Sequence, residues 1–248
     1  MRRDAGASAK VRFNDQGYIV NLRKHGENSA VLTVLSREHG KVTGFVKHAL
    51  SKKNLGVFQL GNQVQFEAYS RVDENMLSLK VELLSPDAVN FIADPQKLSV
   101  LAAFCALSNA VLPELENLED FYACVDNFFK LINEENWLTY YLYFEYYLLE
   151  YLGIGLDLSE CAATGTTRDL AYVSPKTGKA VCRVAGEAYR DRLFAYPRFI
   201  IEKNEFPAPA EQRALLQMTG FFLQKNFFNL HSLKFPPNRA SLLDNLNL

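Results

Sequence analysis

Apolar and polar positions alternate through the first third of the chain, after a polar stretch over residues 1–16. Strands are predicted over residues 17–23, 30–35, 41–46, 62–69 and 76–84. In the last of these, the alternation predicts that Leu77, Leu79, Val81 and Leu83 face inward. Five short strands with one apolar face predict a small closed barrel. The longest connection, residues 47–61, falls between the third and fourth strands, where an OB-fold barrel usually carries its extra helix or loop.

From residue 86 onward the apolar positions recur with the period of a helix. Helices are predicted over residues 95–111, 118–132, 136–152 and 210–230, with a short one over 239–246. Residues 136–152 are apolar or aromatic almost all round, which is typical of a helix at the centre of a bundle. The alternative for this helix is a platform of aromatic rings that stack on unpaired bases. A hairpin is predicted over residues 170–182.

These patterns predict an α+β protein in three parts. A flexible basic arm covers residues 1–16, a five-stranded OB-fold barrel residues 17–85, and a helical domain residues 86–248. No stretch reaches 18 apolar residues, so no membrane-spanning helix is expected. Arg2 and Arg3 are not followed by an apolar core, so no signal peptide is expected. The four cysteines do not follow the disulfide pattern of secreted proteins, which favours the cytoplasm.

The net charge of −1 conceals a strong segregation of charge along the chain. Residues 1–80 contain 13 basic and 7 acidic residues, residues 81–160 contain 2 and 14, and residues 161–248 contain 12 and 7. This asymmetry indicates that the basic parts bind a polyanion. The alternative is an internal dipole in which oppositely charged parts of the chain neutralise each other.

Catalytic signatures are absent from the sequence. It contains no phosphate-binding loop, nucleophile elbow, zinc-protease motif or dinucleotide-binding fingerprint, and its four histidines are scattered. We therefore expect a binding protein rather than an enzyme.

Two cysteines have the spacing of a zinc ribbon. Cys161 and Thr164 are followed after 17 residues by Cys182 and Ala185, so that Thr164 and Ala185 stand where a ribbon has its other two cysteines. A structural zinc ion takes four ligands, and two thiolates do not complete the set. The prediction is a ribbon-like knuckle at about residues 161–185 that has lost its metal, with no cofactor. The alternative is zinc held by both thiolates and a carboxylate of Glu160 or Glu187.

Basic residues of the predicted barrel concentrate in turns and at strand ends. Side chains placed there can converge on a phosphate backbone, which gives salt-sensitive and sequence-independent binding to DNA or RNA. The candidate nucleic-acid-binding residues are Arg23, Lys24, His25, Arg37, His39, Lys41, Lys47, His48, Lys52 and Lys53. The alternative is a solvated basic surface without a partner.

Several segments resemble the RecO family of bacterial recombination mediators. The similar segments are GYIV at 17–20, HGENS at 25–29, LTVLSREHGK at 32–41, KHALSKK at 47–53, LLEYLG at 148–153 and LSECAATG at 158–165. The resemblance implies an OB fold, a helical domain and a small knuckle that often holds zinc. It also implies a cytoplasmic, nucleoid-associated protein that binds single- and double-stranded DNA and anneals complementary strands.

The resemblance further implies protein partners. They are RecR and the single-stranded DNA-binding protein SSB, with RecA affected indirectly when SSB is displaced from gaps. The acidic, apolar tail of SSB requires a groove with a cation beside it. The candidates for this cation are Arg190, Arg192, Arg198 and Lys203. The alternative function is a general OB-fold nucleic-acid-binding adaptor without mediator activity.

Overall fold

The computed structural model describes residues 11–70, 76–202 and 206–248. The chain forms two compact units, Met1–Tyr122 and Ala123–Leu248. Residues 1–10 of the predicted basic arm lie outside the described residues. The first unit contains the barrel together with two helices that the sequence assigned to the helical domain.

The barrel of the first unit is closed and has five strands, which confirms the predicted OB-fold architecture. The strands are β1 (Arg12–His25), β2 (Ser29–Ser36), β3 (Gly40–Val46), β4 (Gln63–Tyr69) and β5 (Leu77–Ser85). Their order around the barrel is β1-β2-β3-β5-β4. All neighbours are antiparallel except β3 and β5, which run parallel where the barrel closes.

Strand β1 begins earlier than the sequence predicted. Residues 12–16 were assigned to the arm, but they pair with β4, from Arg12 opposite Tyr69 to Gln16 opposite Gln65. The polar sequence here conceals a strand because Asp15 is buried and fully hydrogen-bonded. Its carboxylate accepts hydrogen bonds from the backbone N–H groups of Glu38 and His39, which offsets the cost of burial.

The end of strand β5 also departs from the predicted alternation. Leu79 is buried in the barrel core, but Leu83, which was predicted to face inward, is 38% exposed. The β4–β5 register is regular up to Leu83, which lies opposite the buried Val64, and it shifts only after that residue. Leu83 is exposed because β5 extends past the buried core, against which Val81 is the last of its side chains to pack.

Two helices complete the first unit, α1 (Val89–Ile92) and α2 (Pro95–Val111). Helix α2 begins where its sequence predicts, because the Asp94 carboxylate accepts hydrogen bonds from the N–H groups of Gln96 and Lys97. Its buried face packs against β1, where the Cys105 thiol lies 4.0 Å from the Ile19 carbonyl oxygen. The compact unit therefore extends beyond the predicted boundary at residue 85.

The second unit is built around helices. Helix α3 (Glu119–Lys130) crosses the boundary between the units and is followed by α4 (Trp137–Tyr151). A three-stranded sheet of order β7-β6-β8 follows, with β6 (Leu170–Val173), β7 (Ala180–Cys182) and β8 (Phe194–Ala195). The remaining helices are α5 (Arg183–Gly186), a 3₁₀ helix (Glu187–Arg192), α6 (Arg198–Glu202), α7 (Pro209–Leu223), α8 (Pro237–Ala240) and α9 (Leu242–Asn245).

Two of the predicted helices are shorter or divided in the structure. The helix predicted over residues 210–230 ends as α7 at Leu223 and continues as a π-helical turn over Gln224–Phe228. The helix predicted over residues 239–246 is divided into α8 and α9. Within the described part of the chain, no helix is long and apolar enough to cross a membrane.

Helix α4 lies at the centre of the second unit, as its apolar circumference predicts. Its buried side chains include Leu142, Phe144 and Leu148, none of which is exposed. This burial favours the bundle interpretation over a base-stacking platform, because a stacking ring must reach solvent. One charged residue of α4, Glu145, is also completely buried.

Glu145 is stabilised by a buried ion pair that joins three helices. Arg239 of α8 donates from Nε to Oε1 at 2.5 Å and from Nη2 to Oε2 at 2.8 Å. The hydroxyls of Tyr141 and Thr219 donate to the same carboxylate at 2.5 Å each. Arg239 also donates to the carbonyl oxygen of Leu216 in α7. Because every oxygen of the carboxylate is paired, the buried charge is compensated.

Candidate nucleic-acid interface

The strand register divides the ten candidate residues between two ends of the barrel. Strand β2 has eight residues, so its ends lie roughly 25 Å apart. We call the end that carries the β1–β2 turn the basic end; its candidates are Arg23, Lys24, His25, Lys47, His48, Lys52 and Lys53. The opposite end carries the β2–β3 turn, with Arg37, His39 and Lys41.

The pairing of β1, β2 and β3 brings the basic end together. His25 lies opposite Ser29, and Ala30 lies opposite Val46, which immediately precedes Lys47. The link after β3 folds back onto the β1–β2 turn, because the N–H of Leu50 donates to the carbonyl oxygen of Asn28 at 3.0 Å. Residues separated by more than twenty positions in sequence therefore share one surface.

The backbone conformation of the connection between β3 and β4, residues 47–61, keeps its lysines exposed to solvent. His48 adopts a left-handed backbone conformation with φ of 58°. Its carbonyl oxygen accepts hydrogen bonds from the N–H of Ser51 at 3.1 Å and from the side-chain amide of Asn54 at 3.0 Å. These turns leave Lys52 and Lys53 exposed to solvent.

The basic end has a surplus of uncompensated positive charge. Residues 17–61 contain seven Lys and Arg but only two Asp and Glu. The exposed cations of the basic end are Arg23, Lys24, Lys47, Lys52 and Lys53. Across residues 11–70, 76–202 and 206–248, none of these five takes part in an ion pair. Such charges are available to phosphate groups.

At the opposite end, two of the three candidates are engaged within the first unit. Lys41 donates from Nζ to the carbonyl oxygen of Asn109 at 3.0 Å, lies 3.7 Å from the Glu114 carboxylate, and its side chain is only 12% exposed. His39 is 2.9 Å from the Asp15 carboxylate through Nδ1, and its ring stacks on Phe13 at 3.9 Å. Arg37 is exposed but belongs to this end. The structure therefore does not support one continuous track through all ten candidates.

A cavity of about 280 Å³ opens beside the basic end. Its floor consists of core residues Val46, Phe58 and Leu79. Around its rim lie two aromatic rings and two ammonium groups, those of Phe45, Tyr69, Lys47 and Lys80. The cavity thus combines an apolar interior with cationic and aromatic groups at its mouth.

In the second unit, the predicted knuckle is closed by hydrogen bonds. Cys161 and Cys182 are buried, and the N–H of Cys182 donates to the Sγ atom of Cys161 at 3.2 Å. The Thr164 hydroxyl lies 3.6 Å from the Sγ atom of Cys182. Burial raises the pKa of the Cys161 thiol, but hydrogen bonds from Cys182, Thr164 and Ala163 outweigh burial and lower this pKa to about 6.

The donor set of the knuckle does not fit a structural zinc ion. Thr164 supplies a hydroxyl and Ala185 only a methyl group, where a ribbon needs thiolates. Glu187, proposed as a substitute ligand, accepts a hydrogen bond from the Tyr172 hydroxyl at 2.8 Å and pairs with Arg190. No cluster of three His, Cys, Asp or Glu side chains suited to a metal ion occurs among the residues that the structure describes.

Two family models together cover most of the chain. The model for the N-terminal part of recombination protein O matches residues 11–86, and the model for its C-terminal part matches residues 92–238. The chain belongs to the RecO family. This confirms the resemblance seen in the sequence.

Relatives in the RecO family match this chain over nearly their full length. A protein of Rhodospirillum centenum is 36% identical over 236 residues, which covers 94% of each chain. One from Phenylobacterium zucineum is 35% identical and covers 96% of this chain and 98% of its own. One from Wolbachia pipientis is 33% identical and covers 94% and 98%, respectively. All three are named DNA repair protein RecO.

We expect the purified protein to contain well under one zinc ion per chain, because this RecO-family knuckle retains only two thiolates. Elemental analysis of the protein purified without chelators tests this. The double variant Thr164→Cys, Ala185→Cys should bind about one zinc or cobalt ion per chain, and its cobalt complex should show thiolate charge-transfer bands. Stoichiometric zinc in the unaltered protein would contradict the prediction and require a further protein ligand.

The residues predicted to bind the SSB tail, as the RecO resemblance implies, lie in differing environments. Arg190 pairs with Glu187 at 3.3 Å, and Arg198 lies 3.7 Å from Glu202. Arg192 is exposed at the end of the 3₁₀ helix. Lys203 lies outside the described residues. The same stretch exposes the apolar side chains of Val184 and Tyr189.

Sequence reasoning missed the cavity residues Tyr69 and Lys80 entirely. Lys80 is a charged residue in the polar phase of β5, where the alternating pattern gives no reason to single it out, but Tyr69, like Phe45, is an aromatic residue in the polar phase of its strand. A signal did exist at Phe45, because it occupies an outward position of β3, between Thr43 and Lys47. An aromatic residue in the polar phase of a strand indicates a surface that contacts something other than water.

Proposed function

We propose that this protein is a mediator of DNA repair and homologous recombination. It binds single- and double-stranded DNA through the basic end of its barrel, anneals complementary strands and helps to load RecA onto SSB-coated gaps. The observation that carries the proposal is the group of exposed cations at one end of an OB-fold barrel, in a chain of the RecO family.

The charge distribution supports an electrostatic route to annealing. Cationic side chains at the basic end lower the repulsion between two phosphate backbones and raise the local concentration of both strands. Contacts with phosphates leave the base edges free to pair, since phosphate contacts carry no direct sequence information. The protein therefore acts by binding, and annealing requires neither ATP nor a metal ion.

We assign partner binding to the second unit. The acidic tail of SSB suits a surface on which apolar side chains and cations lie in one short segment. Val184 and Tyr189 supply exposed apolar area there, and Arg192 supplies a cation. Arg190, Arg198 and Lys203 remain part of this proposed site. RecR and, indirectly, RecA are the other proposed partners, and the nucleoid of the bacterial cytoplasm is the proposed location.

The expected result of an annealing assay follows from this route. Two labelled complementary oligonucleotides should pair faster with the protein than without it, and equally fast with or without ATP and EDTA. The rate should fall steeply with salt, because counterion release drives the binding. Annealing should persist when the strands carry SSB. A rate equal to spontaneous pairing under every condition favours the general OB-fold adaptor, and a need for ATP contradicts both functions.

A further inference from the structure

We propose that the cavity between β3 and β5 accepts one unpaired nucleobase of single-stranded DNA, with the rings of Phe45 and Tyr69 at its mouth. This inference rests on the proposed function and adds to it a base-binding site distinct from the phosphate contacts of the basic end. It is carried by three observations: the composition of the cavity, the way the barrel closes, and the charges on the rim.

The composition of the cavity suits a flat aromatic ligand with a charged backbone. A volume of about 280 Å³ is at the small end of ligand sites, which usually measure about 300–1,000 Å³. The floor formed by Val46, Phe58 and Leu79 is apolar, and Asn54 and Ser78 add polar side chains to the lining. A nucleobase has apolar faces and polar edges. Its faces suit the apolar floor, and its edges suit the polar side chains of the lining.

The closure of the barrel keeps this site open. Strands β3 and β5 pair at only two positions, Gly44 with Leu77 and Phe45 with Ser78. No later pair joins them within the described residues, so the wall is open between Lys47 on one side and Lys80 on the other.

The crossing of the two strands depends on a glycine. A Cβ atom on Gly44 would lie 2.6 Å from the Leu79 side chain and 2.8 Å from the Leu77 carbonyl oxygen. Only glycine permits this close approach, which fixes Phe45 beside the start of β5. The cavity mouth is therefore built on regular strands, which hold their side chains more rigidly than loops.

The rim carries charges that suit the phosphates flanking a bound base. Lys47 belongs to the basic end and also lines the cavity, so the two sites are continuous. The Lys80 ammonium lies 5.5 Å from the centroid of the Tyr69 ring and 3.2 Å from the Glu67 carboxylate. Lys80 thus contacts the Tyr69 ring through a cation–π interaction, while Lys47 makes no ion pair within the described part of the chain.

A site of this kind distinguishes single strands from duplex. In a duplex each base is stacked and paired, and extracting it costs a few kcal/mol. An unpaired base enters without that cost and gains stacking on an aromatic ring. Base binding therefore favours the single strand, and formation of the duplex withdraws the base and releases the product of annealing.

The experiment compares full-length protein binding to oligothymidylate and to an abasic oligonucleotide with the same number of phosphates. We expect oligothymidylate to bind roughly 5- to 150-fold more tightly, the range that stacking of one base provides. The variants Tyr69→Leu and Phe45→Leu should reduce this ratio to below about 3-fold. Tyr69→Phe, which keeps the ring, should leave it unchanged, and all variants should bind the abasic oligonucleotide as the unaltered protein does.

The outcomes separate this inference from the proposed function. Equal binding of the two oligonucleotides, or a ratio that Tyr69→Leu and Phe45→Leu leave intact, overturns the base site while DNA binding stands. Failure to bind either oligonucleotide overturns the proposed function and this inference with it. A fluorescent base analogue, 2-aminopurine, gives a second readout: its emission should change on binding to the unaltered protein and to Tyr69→Phe, but not to Tyr69→Leu.

Discussion

Replacing Lys47, Lys52 and Lys53 together with Glu should weaken DNA binding by roughly 100-fold near physiological salt. These three ammonium groups are exposed at the basic end and compensated by no ion pair among the described residues. Each phosphate contact contributes about one unit to the slope of log affinity against log salt concentration, so the slope should flatten by about two to three. The loss should be alike for all DNA sequences, because phosphates carry no sequence information.

A matched pair of single substitutions tests whether one end of the barrel is responsible. Lys47→Glu and Arg37→Glu make the same change in charge on exposed side chains, at opposite ends of β2. We expect Lys47→Glu to weaken binding several-fold and Arg37→Glu to have little effect. Titrations with DNA at salt concentrations between about 50 and 200 mM measure the affinity of each variant and the slope of log affinity against log salt concentration. An unchanged slope in the triple variant would place the DNA track elsewhere, and the basic stretch between residues 168 and 239 would be tested next.

The second large effect concerns stability. Arg239→Met should lower the free energy of unfolding by about 3–5 kcal/mol, because it leaves the Glu145 carboxylate charged and buried without its partner. At 2–4 °C per kcal/mol, the melting temperature should fall by about 10 °C. Chemical denaturation followed by circular dichroism measures the free energy, and differential scanning calorimetry measures the melting temperature.

A double variant separates the cost of an unpaired charge from the cost of lost packing. Glu145→Leu combined with Arg239→Met removes both charges and retains apolar bulk, so it should recover most of the stability lost in Arg239→Met alone. The hydroxyls of Tyr141 and Thr219 then lose their short hydrogen bonds to the carboxylate, so recovery should remain incomplete. If the double variant is as unstable as Arg239→Met, the loss comes from packing around α8 and not from the buried charge.

Local patterns were sufficient for the architecture of the barrel and for the order of the main helices. Alternation over residues 62–69 and the apolar circumference of residues 136–152 depend on near neighbours, and both elements were confirmed. The start of β1 was missed because burial of Asp15 depends on N–H groups more than twenty residues away. When a buried polar side chain of a strand receives its hydrogen bonds from residues distant in sequence, the local pattern of apolar and polar positions does not predict the strand.

The sequence shows which residues of the candidate interface are basic, but it does not show which of them are exposed and lie together. Lys41 is as basic in sequence as Lys47, yet its ammonium group binds the carbonyl oxygen of Asn109, 68 residues later. The strand register shows in addition that Lys47 shares its end of the barrel with the β1–β2 turn, whereas Arg37 lies at the opposite end. The cavity depends on where β3 and β5 separate. This pairing is between residues far apart in sequence, so the pattern of either strand alone does not predict it.

The closure of the knuckle by hydrogen bonds changes what its folding depends on. In a zinc ribbon the folded hairpin must capture an ion, so its formation responds to free zinc and to chelators. Here the Cys182 N–H, the Cys161 sulfur and the Thr164 hydroxyl belong to one chain. We therefore expect closure to be a unimolecular event whose rate does not depend on the supply of metal, and we expect this part of the molecule to fold equally well in a cell that is starved of zinc.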